Sequence, residues 1–68
     1  MILKNRLKEL RARDGLNQSE LAKLAGVSRQ SISLLERGIH PSVIIAITIA
    51  QIFKEPVENV FSLVEGEE

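Results

Sequence analysis

Two helix-start signals follow one another closely near the middle of the chain. The first is a capping box, in which the Asn17 side chain can accept the N–H of Glu20 and Glu20 can return a bond. The second is Ser28, a favoured N-cap residue, with Val27 and Ile32 at the two positions of a hydrophobic staple. Because the second signal comes so soon after the first, this part of the chain can fold only as short helices separated by a sharp turn.

The residues between these two helices favour a tight connection. Gly26 can adopt the left-handed backbone that a sharp turn needs, which costs other residues free energy. Ala22 is small enough to let the two helix axes approach each other. Two short helices joined in this way are typical of a helix-turn-helix, predicted over about residues 17–37. The alternative is an ordinary helical hairpin within an all-α domain.

Apolar spacing predicts a further helix before this motif. Leu3, Leu7 and Leu10 recur at intervals of four and three residues, so they share one face of a helix over about residues 3–13. Near the other end of the chain, residues 61–64 are expected to be extended, and residues 1–3 are a candidate partner strand.

The segment from Ser42 to Phe53 carries conflicting signals. Its many β-branched residues favour a strand. Against this, Ser42 can cap a helix, the segment is long for a strand, and Ala46 and Ala50 lie four residues apart. We therefore predict a fourth helix here, and Pro56 opens a short fifth helical turn through residues 57–61.

These elements predict an all-α domain over residues 1–64, with five helices and room for short β-strands at its two ends, followed by an acidic tail over residues 65–68. A chain of this size buries only about 60% of its unfolded surface. Efficient helix packing or a partner chain must therefore supply the remaining stability. The apolar residues predicted to form the core are Leu7, Leu10, Leu21, Leu24, Ile32, Leu35, Ile45, Ile49 and Ile52.

The charge is unevenly distributed although the formal net charge is zero. Residues 1–40 contain eight basic and four acidic side chains, whereas residues 41–68 contain one basic and five acidic side chains. Such asymmetry suggests a basic half that meets a polyanion and an acidic half that faces away from it. The alternative is a solvated basic helix and an acidic tail without a partner.

Composition argues against several classes of protein. With no cysteine and a single histidine, His40, the chain lacks disulfides and the ligands of a thiolate metal site, and we predict no metal or cofactor. No set of nucleophile, base and acid accompanies His40, so we do not expect an enzyme or a small-molecule site. The first residues do not resemble a signal peptide, and no apolar run approaches the roughly 20 residues that span a bilayer. We therefore expect a cytoplasmic protein.

The run Gly15 to Ser33, GLNQSELAKLAGVSRQSIS, closely resembles the Cro/C1-type, lambda-repressor-like helix-turn-helix family, and residues 35–38, LERG, followed by Pro41-Ser42 extend the match. The likeness covers about residues 5–61 and is closest to minimal single-domain members. It implies a five-helix domain in which Gln18 and the third helix contact operator DNA. It also implies a structural ion pair between Arg11 and Glu36 that ties the first helix to the end of the third.

The chain departs from the pattern of this family in two places. Leu34 stands where relatives more often have a small or polar residue, which bears on the operator that is read. Ile44 and Ile47 stand where the fourth helix usually carries charge, which bears on oligomerisation.

The third helix is expected to lie in the major groove of double-stranded DNA. Arg29 can bond O6 and N7 of guanine, and Gln30 can pair with N6 and N7 of adenine. Gln18, at the N-terminus of the second helix, is expected to help bind a phosphate and to affect all sequences alike. Leu34 either packs on a thymine methyl group or fills a helix contact. The residues predicted to contact DNA are Asn17, Gln18, Ser28, Arg29, Gln30, Ser31, Ser33, Leu34 and Arg37.

A homodimer is predicted because the chain has more apolar surface than its own core needs. The predicted interface comprises Ile44, Ile47, Val60, Leu63 and Val64. A symmetric pair would read a near-palindromic operator, as expected of a repressor. One alternative is that Ile44 and Ile47 lie beneath the C-terminal segment of their own chain. Another is that the chain is an antitoxin or an interaction adaptor with the same fold.

Overall fold

Residues 1–66, which the computed structural model describes, form five α-helices and a two-stranded antiparallel sheet. In chain order the elements are β1 (Ile2–Asn5), α1 (Leu7–Asp14), α2 (Gln18–Ala25), α3 (Arg29–Glu36), α4 (Val43–Phe53), α5 (Val57–Val60) and β2 (Phe61–Val64). The predicted five-helix fold with short terminal strands is confirmed. Glu67 and Glu68 of the predicted acidic tail lie outside the described residues.

The predicted starts of α2, α3 and α4 are present. Asn17 Oδ1 accepts the N–H of Glu20 at 2.7 Å, and Glu20 Oε1 accepts the N–H of Asn17 at 2.8 Å, which completes the capping box. Ser28 and Ser42 each accept a backbone N–H of the following first turn at 3.1 Å. The cap at Ser42 and the packing of one face against the core make α4 helical despite its β-branched residues.

The first helix begins at Leu7, so the predicted start at Leu3 is wrong. The segment containing Leu3 instead pairs with β2, with Asn5 opposite Phe61, and this long-range pairing outweighs the local helical spacing. Asn5 also marks the helix start, because its Oδ1 accepts the N–H of Leu7 at 3.1 Å.

The core forms where the helices and the inner end of the sheet meet. Leu24 was predicted to belong to it but is 59% exposed. Leu21, Ala22 and Ala25 define the inward face of α2, and a rotation of roughly 100° per residue carries Leu24 away from that face. Ile45 and Ile52 pack at its edge. The buried apolar side chains are Leu7, Leu10, Leu21, Ala22, Ile32, Leu35, Ile49, Ala50, Phe53, Val60 and Phe61.

Within residues 1–66 no helix has the length and apolar character needed to cross a membrane.

Candidate nucleic-acid interface

A three-residue turn, Gly26 to Ser28, connects α2 to α3. Gly26 has a φ of 75°, in the left-handed region, and its N–H donates to the carbonyl of Lys23 at 3.3 Å. The N–H of Val27 donates to the carbonyl of Ala22 at 3.0 Å, so the first two residues of the turn remain hydrogen-bonded to α2. This geometry sets the direction in which the chain leaves α2 toward α3.

The two faces of α3 differ in polarity. Ile32 and Leu35 are buried in the core and anchor the helix along its length. Arg29 and Gln30 are exposed at its first turn, where the guanidinium and the amide can reach outward. An exposed helix end with these groups offers the donors and acceptors that base edges in a major groove require.

Polar contacts connect the start of α3 to α1 and α2. The Nη1 of Arg29 donates to Gln18 Oε1 at 3.0 Å, and Gln18 Nε2 donates to Glu36 Oε1 at 3.1 Å. Glu36 also accepts from Arg11, at 2.6 Å from Nε and 3.1 Å from Nη2. Arg11 Nη1 donates in addition to the carbonyl of Leu16 at 3.2 Å. We call the side chains of Arg29, Gln18, Glu36 and Arg11 the polar relay.

The Glu36 carboxylate is ionised at neutral pH. Partial burial raises its pKa, but hydrogen bonds from Arg11 and Gln18 and the positive charges of Arg11 and Lys8 outweigh that effect and lower the pKa below its usual range. A carboxylate in this state can only accept hydrogen bonds. Glu36 therefore keeps its bonds to Arg11 and Gln18 throughout the neutral range.

Several other residues predicted to contact DNA have local structural partners. Asn17 belongs to the capping box of α2, and Ser28 caps α3 while its Oγ lies 3.0 Å from Ser31 Oγ. Ser33 is half-buried, and Arg37 is exposed at the C-cap of α3. Asn17, Ser28 and Ser31 therefore shape the N-terminal ends of α2 and α3.

Leu34 is half-buried beside an apolar groove. The groove, of about 220 Å³, lies between α3 and the start of α4 and is lined in part by Val27, Leu34, Ile39 and Ile45. This position supports the interpretation of Leu34 as part of a helix contact, because the side chain already faces apolar neighbours of its own chain.

Ion pairs engage part of the basic half of the chain. Arg13 pairs with Asp14 at 2.8 Å and with Glu55 at 2.5 Å, and its Nη2 donates to the carbonyl of Phe53 at 2.7 Å. Arg6 pairs with Glu9 at 2.7 Å. Both arginines therefore serve in part to attach or order α1. The positive charge available to a polyanion is accordingly smaller than the total charge of residues 1–40 suggests.

The apolar residues predicted to form a dimer interface do not all lie at the surface. Val60 is only 1% exposed and belongs to the core of its own chain, so its assignment to the interface is wrong. Its carbonyl also accepts the N–H of Arg6 at 2.9 Å. Ile44 and Ile47 are 75% and 44% exposed, so they are not covered by the C-terminal segment within residues 1–66. Leu63 and Val64 are exposed on β2.

The polar relay is the feature that the sequence did not predict in full. The ion pair between Arg11 and Glu36 was expected from the family resemblance, but the bonds of Gln18 to Glu36 and Arg29 were not. These bonds join a side chain of α2 to two side chains of α3, and no periodicity within one helix signals such contacts. Two short helices at a tight turn, the second with an exposed polar first turn, define a DNA-binding helix-turn-helix domain.

Comparison with known proteins agrees with this class. A helix-turn-helix family model matches residues 7–59. The chain is 42% identical over 64 residues to the uncharacterized HTH-type transcriptional regulator YgzD of Bacillus subtilis. This alignment covers 93% of this chain and 97% of the relative. It is 41% identical over 66 residues to an uncharacterized HTH-type transcriptional regulator of Archaeoglobus fulgidus, with 96% of this chain and 93% of the relative covered.

A third relative is an uncharacterized HTH-type transcriptional regulator of Methanocaldococcus jannaschii, 45% identical over 60 residues, with 87% of this chain and 91% of the relative covered. The chain belongs to the Cro/C1-type helix-turn-helix family of DNA-binding transcriptional regulators. This family is not a class of enzymes.

Proposed function

We propose that the chain is a sequence-specific transcriptional repressor that binds a near-palindromic operator as a homodimer, with α3 in the major groove. The observation that carries the proposal is the exposed polar first turn of α3, held in place by the buried side chains of Ile32 and Leu35. A dimer seated on an operator excludes other proteins from the same DNA, which favours repression. The site of action is the nucleoid in the cytoplasm.

Base recognition is assigned to Arg29 and Gln30. The Arg29 guanidinium can form a fork with O6 and N7 of guanine, and the Gln30 amide can pair with adenine. Each such bidentate contact contributes about 1–3 kcal/mol of discrimination. The N-terminus of α2 lies beside them, and its outward N–H groups can donate hydrogen bonds to a DNA phosphate.

The homodimer is supported by the exposed apolar face of α4. Ile44 and Ile47 lie three residues apart on one face of the helix and are both exposed. Leu63 and Val64 add apolar surface on β2. Covering such surface by a second copy would stabilise a domain whose own core is small. A two-fold pair would also set two α3 helices about 34 Å apart, one turn of DNA.

The same apolar face of α4 supports a second candidate function. An antitoxin or adaptor would use Ile44 and Ile47 to bind a different protein, and DNA binding could accompany that role. Substitutions on α4 that abolish function in the cell while leaving operator binding intact would favour this candidate over the repressor.

The proposal is tested by selecting duplexes from a random pool with the purified chain. Affinity for the selected duplex and for a scrambled duplex of equal composition is then measured at several salt concentrations. A repressor should prefer the selected duplex by roughly a thousandfold or more. Equal affinity for both duplexes, falling together with added salt, would show a basic surface without sequence recognition and would contradict the proposal.

A further inference from the structure

We propose that Glu36 is a positioning residue for base recognition, because it fixes which end of the Gln18 amide faces Arg29 and so directs the Arg29 guanidinium. The inference rests on the proposed function, since it concerns how that function's recognition arginine is held. It assigns to Glu36 and Gln18 a role in selecting the sequence, beyond an ion pair that stabilises the fold and a general phosphate contact.

The first step concerns the hydrogen bonds that Glu36 can accept. Its side chain is 10% exposed and that of Arg11 is 14% exposed, so both are largely removed from competing water. Arg11 donates to both carboxylate oxygens, and Oε1 also accepts from Gln18. An ionised carboxylate has no proton to donate, so the end of Gln18 that meets it must be the NH2 group.

The second step follows from the two unlike ends of an amide. Once the NH2 of Gln18 is bound to Glu36, its carbonyl oxygen must point the other way, where it accepts from Arg29 Nη1 at 3.0 Å. The flipped amide would place its oxygen against the carboxylate and its NH2 against the guanidinium. Both of those contacts are repulsive, so the chemistry permits one orientation.

The third step concerns Arg29 itself. A guanidinium has five N–H donors in a rigid plane, and Gln18 uses one of them. The remaining donors include those that can form a fork with a guanine edge. An exposed arginine otherwise samples many rotamers, and holding it near one direction before binding reduces the entropy lost on the DNA. The polar relay therefore increases the affinity for duplexes that carry the base pair read by Arg29, relative to duplexes that lack it.

A double-mutant cycle on the full chain distinguishes this role from an independent phosphate contact. The readout is the ratio of affinities for the selected duplex and for a duplex changed at the base pair where Arg29→Ala relaxes selection. Gln18→Leu should reduce this ratio about three- to tenfold when Arg29 is present. In the Arg29→Ala background the same substitution should leave the ratio unchanged. Ser19→Ala, an exposed position in the same turn of α2, is the matched control and should not alter the ratio.

Glu36→Gln tests the direction of the amide. The new amide can give its oxygen to Arg11 and its NH2 to Gln18, which would turn the NH2 of Gln18 toward Arg29. Discrimination should then fall at the Arg29 base pair and not at the others, a change that loss of a purely structural ion pair would not produce. Circular dichroism establishes that the variant is folded, and if it does not fold, the Gln18→Leu cycle decides.

Coupling between Gln18 and Arg29 in the affinity ratio supports the inference. Additive effects, with Gln18→Leu weakening all duplexes alike in both backgrounds, would overturn it while leaving the repressor proposal intact. A wild-type chain that binds selected and scrambled duplexes equally would instead overturn the proposed function, and this inference with it.

Discussion

Arg11 and Glu36 are 25 residues apart in the sequence, yet the guanidinium of one meets both oxygens of the other, with Nε 2.6 Å from Oε2 and Nη2 3.1 Å from Oε1. This two-point contact ties α1 to the last turn of α3. A largely buried pair of this kind holds orientation more than it adds net stability, but it becomes costly once one partner loses its charge.

The first prediction is that the domain loses stability in acid. The pKa of Glu36 in the folded state lies below its usual range, so the unfolded chain takes up the proton first. The stabilisation that the ionised Glu36 provides is complete above the pKa of this group in the unfolded chain, about 4.3. It is lost as the pH falls through the lower pKa of the folded state. The melting temperature should therefore fall as the pH is lowered through and below the pKa of the unfolded chain, as followed by circular dichroism.

Glu36→Gln is the control for this prediction, and its melting temperature should depend less steeply on pH. The exposed pairs of Glu9 with Arg6 and of Glu55 with Arg13 also lower the pKa of their carboxyl groups, so a residual slope should remain. Identical slopes in the variant and the wild type would show that Glu36 is not coupled to folding.

The second prediction compares two leucines in neighbouring short helices. Leu35→Ala removes a side chain buried in the core and should cost about 2–5 kcal/mol of unfolding free energy. Leu24→Ala deletes the same atoms from an exposed position of α2 and should change stability by no more than about 0.5 kcal/mol. Urea denaturation of both variants gives the comparison, and similar costs would contradict the observed burial.

Much of the fold follows from local signals in the sequence. The caps at Asn17, Ser28 and Ser42 set the starts of α2, α3 and α4, because each depends on residues within one turn. The start of α1 and the exposure of Leu24 could not be predicted in this way. The first depends on pairing with a strand about 60 residues further along the chain, and the second on which face of α2 meets its neighbours.

In the candidate site, too, the features that depend on local sequence were predicted and those that depend on packing between helices were not. The exposed first turn of α3 was predicted from the cap at Ser28 and the inward spacing of Ile32 and Leu35. The bonds of Gln18 were not predicted, because they depend on how α2 and α3 are oriented relative to each other. Val60 was placed at an interface from its apolar character alone, although the short helix α5 turns it into the core.

The third prediction concerns the oligomeric state. Ile47→Glu places a charge in the proposed dimer interface at a position that is exposed in the single chain. Sedimentation at micromolar concentration should show a dimer for the wild type and a folded monomer for the variant, with weakened operator binding. Leu24→Glu introduces the same charge at an exposed position on α2 and should remain dimeric.

An Ile47→Glu chain that stays dimeric would place the interface away from α4. A chain that unfolds would show that Ile47 packs within its own domain, contrary to its exposure.

The fourth prediction concerns base specificity. Arg29→Ala should weaken binding to the best operator by about 1–3 kcal/mol and relax selection at one base pair of each half-site. Lys23→Ala removes a basic residue from α2 and should affect all duplexes to a similar extent. Selection from a random pool is the measurement, and an unchanged preferred sequence for Arg29→Ala would remove this residue from base recognition.

The fifth prediction concerns the C-cap of α4. Lys54 has a φ of 58°, a left-handed conformation that costs a residue with a side chain some free energy. Lys54→Gly should therefore stabilise the domain by about 0.5–1 kcal/mol, as measured by urea denaturation. Lys54→Ala removes the same charge but keeps the strained backbone, and it should not stabilise. Equal effects of the two substitutions would assign the change to charge.

The antiparallel pairing of β1 with β2 has a consequence for the order in which the domain is made. The ribosome releases β1 first, but Ile2 has no partner until Val64 has emerged. The N–H of Arg6 likewise lacks its hydrogen-bond acceptor until Val60 has been synthesised. The helix-turn-helix can thus assemble on the growing chain, while the strand that precedes α1 stays unpaired until translation of residues 61–64 closes the domain.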